Sequence, residues 1–148
     1  MIINKNKSLY TDRALYSPKI YFFRDNKEYM SDVITCAAPN KFSAQKYYGV
    51  SEAENRAALE SRIKFVLDVA KDNGVSTLIL GAFGCGVFGQ DATEVANIFK
   101  NLLETTHKCF DRVVFAIPNK KRNSNHKKFV EVFQEDITWQ TATQPPPR

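Results

Sequence analysis

Leu78-Ile79-Leu80-Gly81-Ala82-Phe83-Gly84-Cys85-Gly86-Val87-Phe88-Gly89-Gln90-Asp91 joins a short apolar run to a glycine-rich turn and then to a helix start. An unbroken apolar run of this length reads as a central parallel strand covered on both faces. Four of the nine residues from Gly81 to Gly89 are glycine. Glycine permits positive φ and lets main-chain N–H groups approach a bulky anion closely. Asp91 and Glu94 have capping-box spacing, and Val95, Ile98, Phe99, Leu102 and Leu103 follow at helical spacing. A helix therefore starts where the loop ends, and its N-terminal dipole favours negative charge there. Strand, glycine turn and helix start together form a phosphate cradle.

Two common anion loops compete for this stretch, because Gly84-Cys85-Gly86-Val87-Phe88-Gly89 spells GxGxxG. A nucleoside triphosphatase loop ends in Gly-Lys-Ser/Thr, whereas Gly89 is followed by Gln90 and Asp91. A dinucleotide site needs an acidic residue at the end of the next strand. That strand reads Arg112-Val113-Val114-Phe115-Ala116-Ile117 and ends in Pro118-Asn119, with Asp111 before it. Both owners fail. Phe83 and Phe88 inside the loop point instead to ribose or base stacking beside a pyrophosphate.

The segment from Gly81 to Asp91 resembles the pyrophosphate loop of the poly(ADP-ribose) glycohydrolases, above all the microbial type, a branch of the macrodomain fold. Leu9-Tyr10-Thr11-Asp12 with Leu15-Tyr16-Ser17-Pro18-Lys19-Ile20-Tyr21-Phe22-Phe23-Arg24-Asp25 is similar to that family's tyrosine, Ser-Pro, strand and Arg-Asp segment. Val33-Ile34-Thr35-Cys36-Ala37-Ala38-Pro39-Asn40 looks like the strand and Pro/Asn turn that follow. The resemblance runs from about Leu9 to Phe133. It implies an α/β fold, a three-layer α/β/α macrodomain-like arrangement with a mainly parallel or mixed central sheet, and ADP-ribose or an ADP-ribosylated ligand as partner. The family's catalytic signature, a Gly-Gly-Gly run followed by Gln-Glu-Glu, belongs before the Ser-Pro strand, where this sequence has residues 1–8. The domain is thus expected to be truncated on its N-terminal side, with no catalytic residue of its own. Gln134-Glu135-Asp136 imitates the acidic triplet but follows the last helix without a glycine run, and reads as a solvated helix end.

Outside the loop, strands are expected over residues 19–24, 32–37, 76–81 and 112–117. Helices are expected over 51–71, 91–107 and from 124 onward. Ser51 and Glu54 cap the longest, Leu59, Ile63, Val66 and Ala70 form its stripe, and Asn73-Gly74 ends it. Residues 39–49 read as a long loop. Residues 1–137 form one expected domain, and the proline-ended tail over 138–148 reads as disordered. About four strands is fewer than a complete sheet, so the strand from Lys19 to Arg24 would be an exposed edge. Tyr21, Phe22 and Phe23 make that edge adhesive, and a homodimer, a partner chain or a rearranged sheet is expected there.

The 148 residues carry a formal charge of +5, with clusters at Lys120-Lys121-Arg122 and Lys127-Lys128. A basic rim suits an anionic partner, although a solvated loop and helix start explains the same cluster. There is no recognition helix and no aromatic RNA-binding signature, so specific nucleic-acid binding is not expected. The sequence contains no transmembrane-length apolar run and no signal-peptide core, so no membrane association and a cytoplasmic protein are expected. Cys36, Cys85 and Cys109 have no paired spacing, which argues for reduced thiols and against zinc. No cofactor or metal site is expected, and His107 and His126 are isolated.

The expected ligand-binding residues are Gly84, Cys85, Gly86, Val87, Phe88 and Gly89. By the resemblance, Phe88 would lie against a ribose; a core aromatic is the competing reading, and core packing is the reading for Phe83. Cys85 lies near a helix start, where thiols acidify, but no histidine is adjacent in the motif to serve as its base. Asn40, Ile117 and Asn119 are candidates for an adenine or ribose wall, with a turn former and a strand end as their plainer readings. The leading expectation is an ADP-ribose binding module that lacks glycohydrolase activity on its own. The alternatives are one part of a split or oligomer-completed glycohydrolase, and an interaction protein in which the loop is only packing.

Overall fold

The computed structural model describes residues 8–119 and 124–134. In chain order these form β1 (Ala14–Arg24), β2 (Lys27–Cys36), α1 (Lys41–Tyr48), α2 (Glu52–Asp72), β3 (Thr77–Leu80), α3 (Ala92–Glu104), β4 (Arg112–Phe115) and α4 (Ser124–Phe133). The fold is mixed α/β, with β1 and β2 antiparallel and β3 and β4 parallel in two separate two-stranded sheets. The sequence clusters at 120–123 and 135–148 lie outside the described residues, as does the expected tail.

The two short strands expected over 19–24 and 32–37 are halves of one long hairpin. Asp25 and Asn26 form its turn with φ of 51° and 58°, the left-handed geometry that matches strand twist and that Asp and Asn tolerate best. A bulge interrupts the register between Ser17 and Ile20, where Pro18 has no N–H to give a ladder. The Lys19 N–H turns to Asp32 Oδ1 at 2.8 Å, and the Tyr16 hydroxyl donates to the same carboxylate.

The expected loop over 39–49 contains α1 instead. Asn40 caps it by accepting the Ser43 N–H at 3.1 Å, and Gly49 closes it at φ 63°. Its periodicity was unreadable because only Ala44 is buried, while Phe42, Tyr47 and Tyr48 are exposed. In α2 the Ser51–Glu54 capping box forms in both directions, and Leu59, Ile63, Val66, Leu67 and Ala70 are buried as the stripe requires. In α3 only half of the expected box forms. Asp91 accepts the N–H groups of Thr93 at 2.8 Å and Glu94 at 3.0 Å, while the Glu94 carboxylate lies 3.6 Å from Arg56 Nε. This helix ends at Glu104, before the expected 107; His107 is buried beyond it, 2.9 Å from Asp68 Oδ1.

One core joins these parts. Buried residues of α2, α3 and α4 gather with Leu78, and Leu80, Val113 and Phe115 pack against them. Phe115 sits among Phe99, Phe129 and Phe133, with ring centroids 5.3, 5.2 and 5.0 Å away. Each such ring contributes about 1.5–3 kcal/mol by leaving water. The opposite side of β3 departs from the expectation of a strand covered on both faces. Ile79 is 72% exposed, because alternation along the strand aims it away from the helices. Among the described residues no helix is long and apolar enough to cross a membrane.

Candidate functional site

The glycine loop leaves the carboxyl end of β3 and enters α3, as the sequence predicts. Its shape is a double turn. The Cys85 N–H donates to the Ala82 carbonyl and the Gly89 N–H to the Gly86 carbonyl, each at 3.1 Å. The Gln90 N–H then closes the loop on the Gly84 carbonyl, also at 3.1 Å. Gly84 at φ 75° and Gly89 at φ 73° occupy left-handed backbone that favours glycine. Gly84 is required for a second reason: a Cβ there would stand 2.8 Å from Gln90 Cγ and 2.9 Å from Ala38 Cβ. Gly86 is different, since a Cβ on it would meet nothing within 4 Å.

The loop is anchored from three sides. Gln90, 4% exposed, exchanges amide hydrogen bonds with the buried Asn55 of α2 and donates to the Pro39 carbonyl at 2.9 Å. From α1, the Phe42 N–H donates to the Phe88 carbonyl at 3.1 Å. From α4, Asn125 Nδ2 donates to the Cys85 carbonyl at 3.3 Å. Among the described residues, no acceptor takes the N–H groups of Gly86, Val87 or Phe88 at the loop's outer turn. Val87 is 91% exposed there, and Phe88 is half-buried with its ring 6.3 Å from that of Tyr10. Tyr10 is itself held at φ 62° in a segment fixed by Arg62. That arginine is 1% exposed and donates to Asp12 Oδ1 at 2.6 Å and to the carbonyls of Leu9 and Ala37.

Charge at the start of α3 differs from the sequence reading. The helix's first N–H groups already hold an anion, the carboxylate of Asp91, which Lys128 Nζ meets at 2.5 Å. The Lys128 hydrogen bond holds the Asp91 carboxyl below the ordinary range, against the opposing effect of burial. An added phosphate would therefore rely on the loop N–H groups more than on the helix end. Burial pushes the Cys85 thiol up to about 11, with Asp91 adding to the effect and Lys128 opposing it. A thiol so raised stays protonated and is no nucleophile near neutrality.

The remaining candidates are spread around the loop. Asn40 lies in the turn beside Gly84 and Gln90, but its side-chain oxygen caps α1. Ala116 N–H donates to the Leu80 carbonyl at 2.7 Å, so residues 116–119 leave the sheet beside the loop's origin. Ile117 packs against the core and Asn119 is exposed. His126, a polar-stretch histidine, is partly buried. Sequence reasoning missed Tyr10 as a neighbour of Phe88 and missed Asn55, Arg62, Gln90 and Asn125 as supports. Gln90 stands in the motif itself, yet a glutamine after a glycine loop reads as solvated until its partner 35 residues away is known. Among the described residues no group of three or more His, Cys, Asp or Glu could hold a metal ion.

No family model and no curated protein matches this sequence. Solved structures do. The poly(ADP-ribose) glycohydrolase of Deinococcus radiodurans in complex with ADP-ribose is 32% identical, with a TM-score of 0.81 over 86% of this chain and 55% of that one. The poly(ADP-ribose) glycohydrolase of Thermomonospora curvata is 33% identical, with a TM-score of 0.77 over 85% of this chain and 49% of its own. The chain thus spans about half the length of the structures it matches. In sequence and in fold it is similar to the bacterial poly(ADP-ribose) glycohydrolases, matching about half of such a protein.

Proposed function

We propose that this chain binds ADP-ribose or an ADP-ribosylated ligand, with the pyrophosphate on the loop from Gly84 to Gly89. The observation that carries this reading is the outer turn, where three consecutive N–H groups have no acceptor among the described residues, on a loop anchored by buried hydrogen bonds. Donors held in place before a ligand arrives lose little entropy on binding it. Phe88 and Tyr10 offer aromatic surface for a ribose or base, and Asn40, Ile117 and Asn119 stand as wall residues. The complex of the Deinococcus radiodurans protein with ADP-ribose supports this choice of ligand.

Cleavage of a glycosidic bond needs a carboxyl placed at the scissile bond. These 148 residues contain no glycine run followed by Gln-Glu-Glu, and Asp91, the carboxylate nearest the loop, is committed to its cap and to Lys128. Binding without cleavage is therefore the proposed activity of this chain by itself. A second reading, a glycohydrolase completed by polypeptide from outside these residues, is favoured by the match to only about half of each relative.

Calorimetric titration with ADP-ribose tests the first reading. Saturable heat, abolished by Gly86→Glu in a variant of unchanged melting temperature, is the expected result. No heat up to millimolar ligand would sink it and leave the loop as packing alone.

A further inference from the structure

The hairpin and the β3–β4 pair do not hydrogen-bond to each other, and a cleft of about 600 Å³ lies between them. One wall is β2, through Ser31, Asp32, Ile34 and Cys36; the other is the whole of β3, and Val66 of α2 also lines the space. The direction of the free edge of β3 follows from its pairing. The carbonyls of Ser76 and Leu80 accept N–H groups of Arg112 and Ala116, on the β4 side. Because N–H and C=O groups alternate sides along a strand, those of Thr77 and Ile79 face away from β4, toward the cleft. β2 pairs with β1 on one side only among the described residues.

The volume matches that of one more strand. Four residues of strand are about 13 Å long, about 4.8 Å wide in the sheet and about 10 Å deep with side chains, or roughly 600 Å³. β3 has four residues. Its Ile79 side chain, 72% exposed, lies open beside this space, and the hairpin that forms the other wall exposes Tyr21, Phe23 and Met30. The cleft lining mixes Ile34, Val66, Val75, Ile79 and Phe83 with Ser31, Asp32 and Thr77, and an unpaired strand edge in such a space is a template for strand addition.

We infer that this cleft accepts one apolar β-strand from outside these 148 residues, which pairs with β2 and β3 and merges the two sheets into one. The strand belongs to polypeptide of the kind that the bacterial glycohydrolases carry beyond the half matched here, since their chains are nearly twice the length of the matched region. The exposed aromatic residues of the hairpin fit a partner larger than a lone strand. This inference does not depend on ADP-ribose binding, which takes place at the glycine loop.

Hydrogen–deuterium exchange tests it on the full chain, alone and mixed with the unmatched portion of the Deinococcus radiodurans glycohydrolase produced as a separate polypeptide. Alone, the amides of Thr77 and Ile79 are expected to exchange about tenfold or more faster than that of Leu78. A one-to-one complex is expected to slow them about 100-fold, and Ile79→Lys is expected to weaken that complex about tenfold or more. The inference is overturned if no complex forms at about 100 μM, or if Ile79→Lys binds as well as the parent. It is also overturned if Thr77 and Ile79 are protected in the lone chain. Protection lost on deleting residues 1–7 would assign the cleft to the chain's own N-terminus, and protection lost on dilution would assign it to a second copy. ADP-ribose titration of the same samples reads the loop separately, so either idea can fail alone.

Discussion

Asn55 and Gln90 exchange two amide hydrogen bonds, 3.0 and 2.9 Å long, across 35 positions of sequence in a fully buried pocket. The pair fastens the glycine loop to α2, and the bond from Gln90 to the Pro39 carbonyl extends the fastening to the turn before α1. Asn55→Leu strands the Gln90 carbonyl oxygen in an apolar setting and is expected to cost about 2 kcal/mol. A double-mutant cycle with Gln90→Met, read by urea denaturation, should give a coupling of about 1 kcal/mol or more. Strict additivity would show that the two amides do not act as a unit.

Gly84 and Gly86 should respond unequally to the same small change. Gly84→Ala forces a Cβ into left-handed backbone and against Gln90 and Ala38, and is expected to cost about 3 kcal/mol. Gly86→Ala has open space and ordinary φ, so its stability should stay within about 0.5 kcal/mol of the parent. Melting curves of the two variants decide the matter. Equal losses would mean that the loop is not built as described.

Asp91 and Lys128 set a pH dependence. The Asp91 carboxyl is depressed in the folded chain, chiefly by the Lys128 hydrogen bond, so its contribution is present above the unfolded value of about 3.9. That contribution disappears as pH falls through the lower, folded-state value. With the two side chains 35% and 45% exposed, solvent screening limits the pair to about 0.5 kcal/mol. Lys128→Met should therefore lower stability slightly at pH 7, and the gap from the parent should close in acid. A gap that persists unchanged at about pH 2.5 would contradict the assignment.

The thiols should react in order of exposure and ionisation. Cys109 is exposed, whereas Cys85 is half-buried with its thiol pushed up to about 11. Iodoacetamide at neutral pH is expected to label Cys109 first and to leave Cys85 unmodified, as mass spectrometry of the peptides would reveal. Rapid modification of Cys85 at pH 7 would reopen it as a nucleophile.

The strand, the glycine turn and the cap at Asp91 were all legible in sequence, because each rests on neighbours a few residues apart. The same is true of the Ser51–Glu54 box and the α2 stripe, which local hydrogen bonding and helical period dictate. Helix α1 was not legible, since its side chains carry almost no apolar period to read. The hairpin was only half legible: its turn at Asp25 and Asn26 is local, but antiparallel pairing of residues as far apart as Ala14 and Cys36 is not.

The sequence by itself therefore determined where the glycine loop lies between strand and helix and which family the chain resembles. Tertiary structure alone decided what holds that loop, which of its glycines packing requires and which N–H groups remain available. Two of the supports, Asn55 and Asn125, come from distant helices, so their partners depend on how those helices meet. Ile79 shows the same division. Its apolar character is written in the chain, but that its side stands open beside a cleft follows only from where β2, β3 and the helices come to rest.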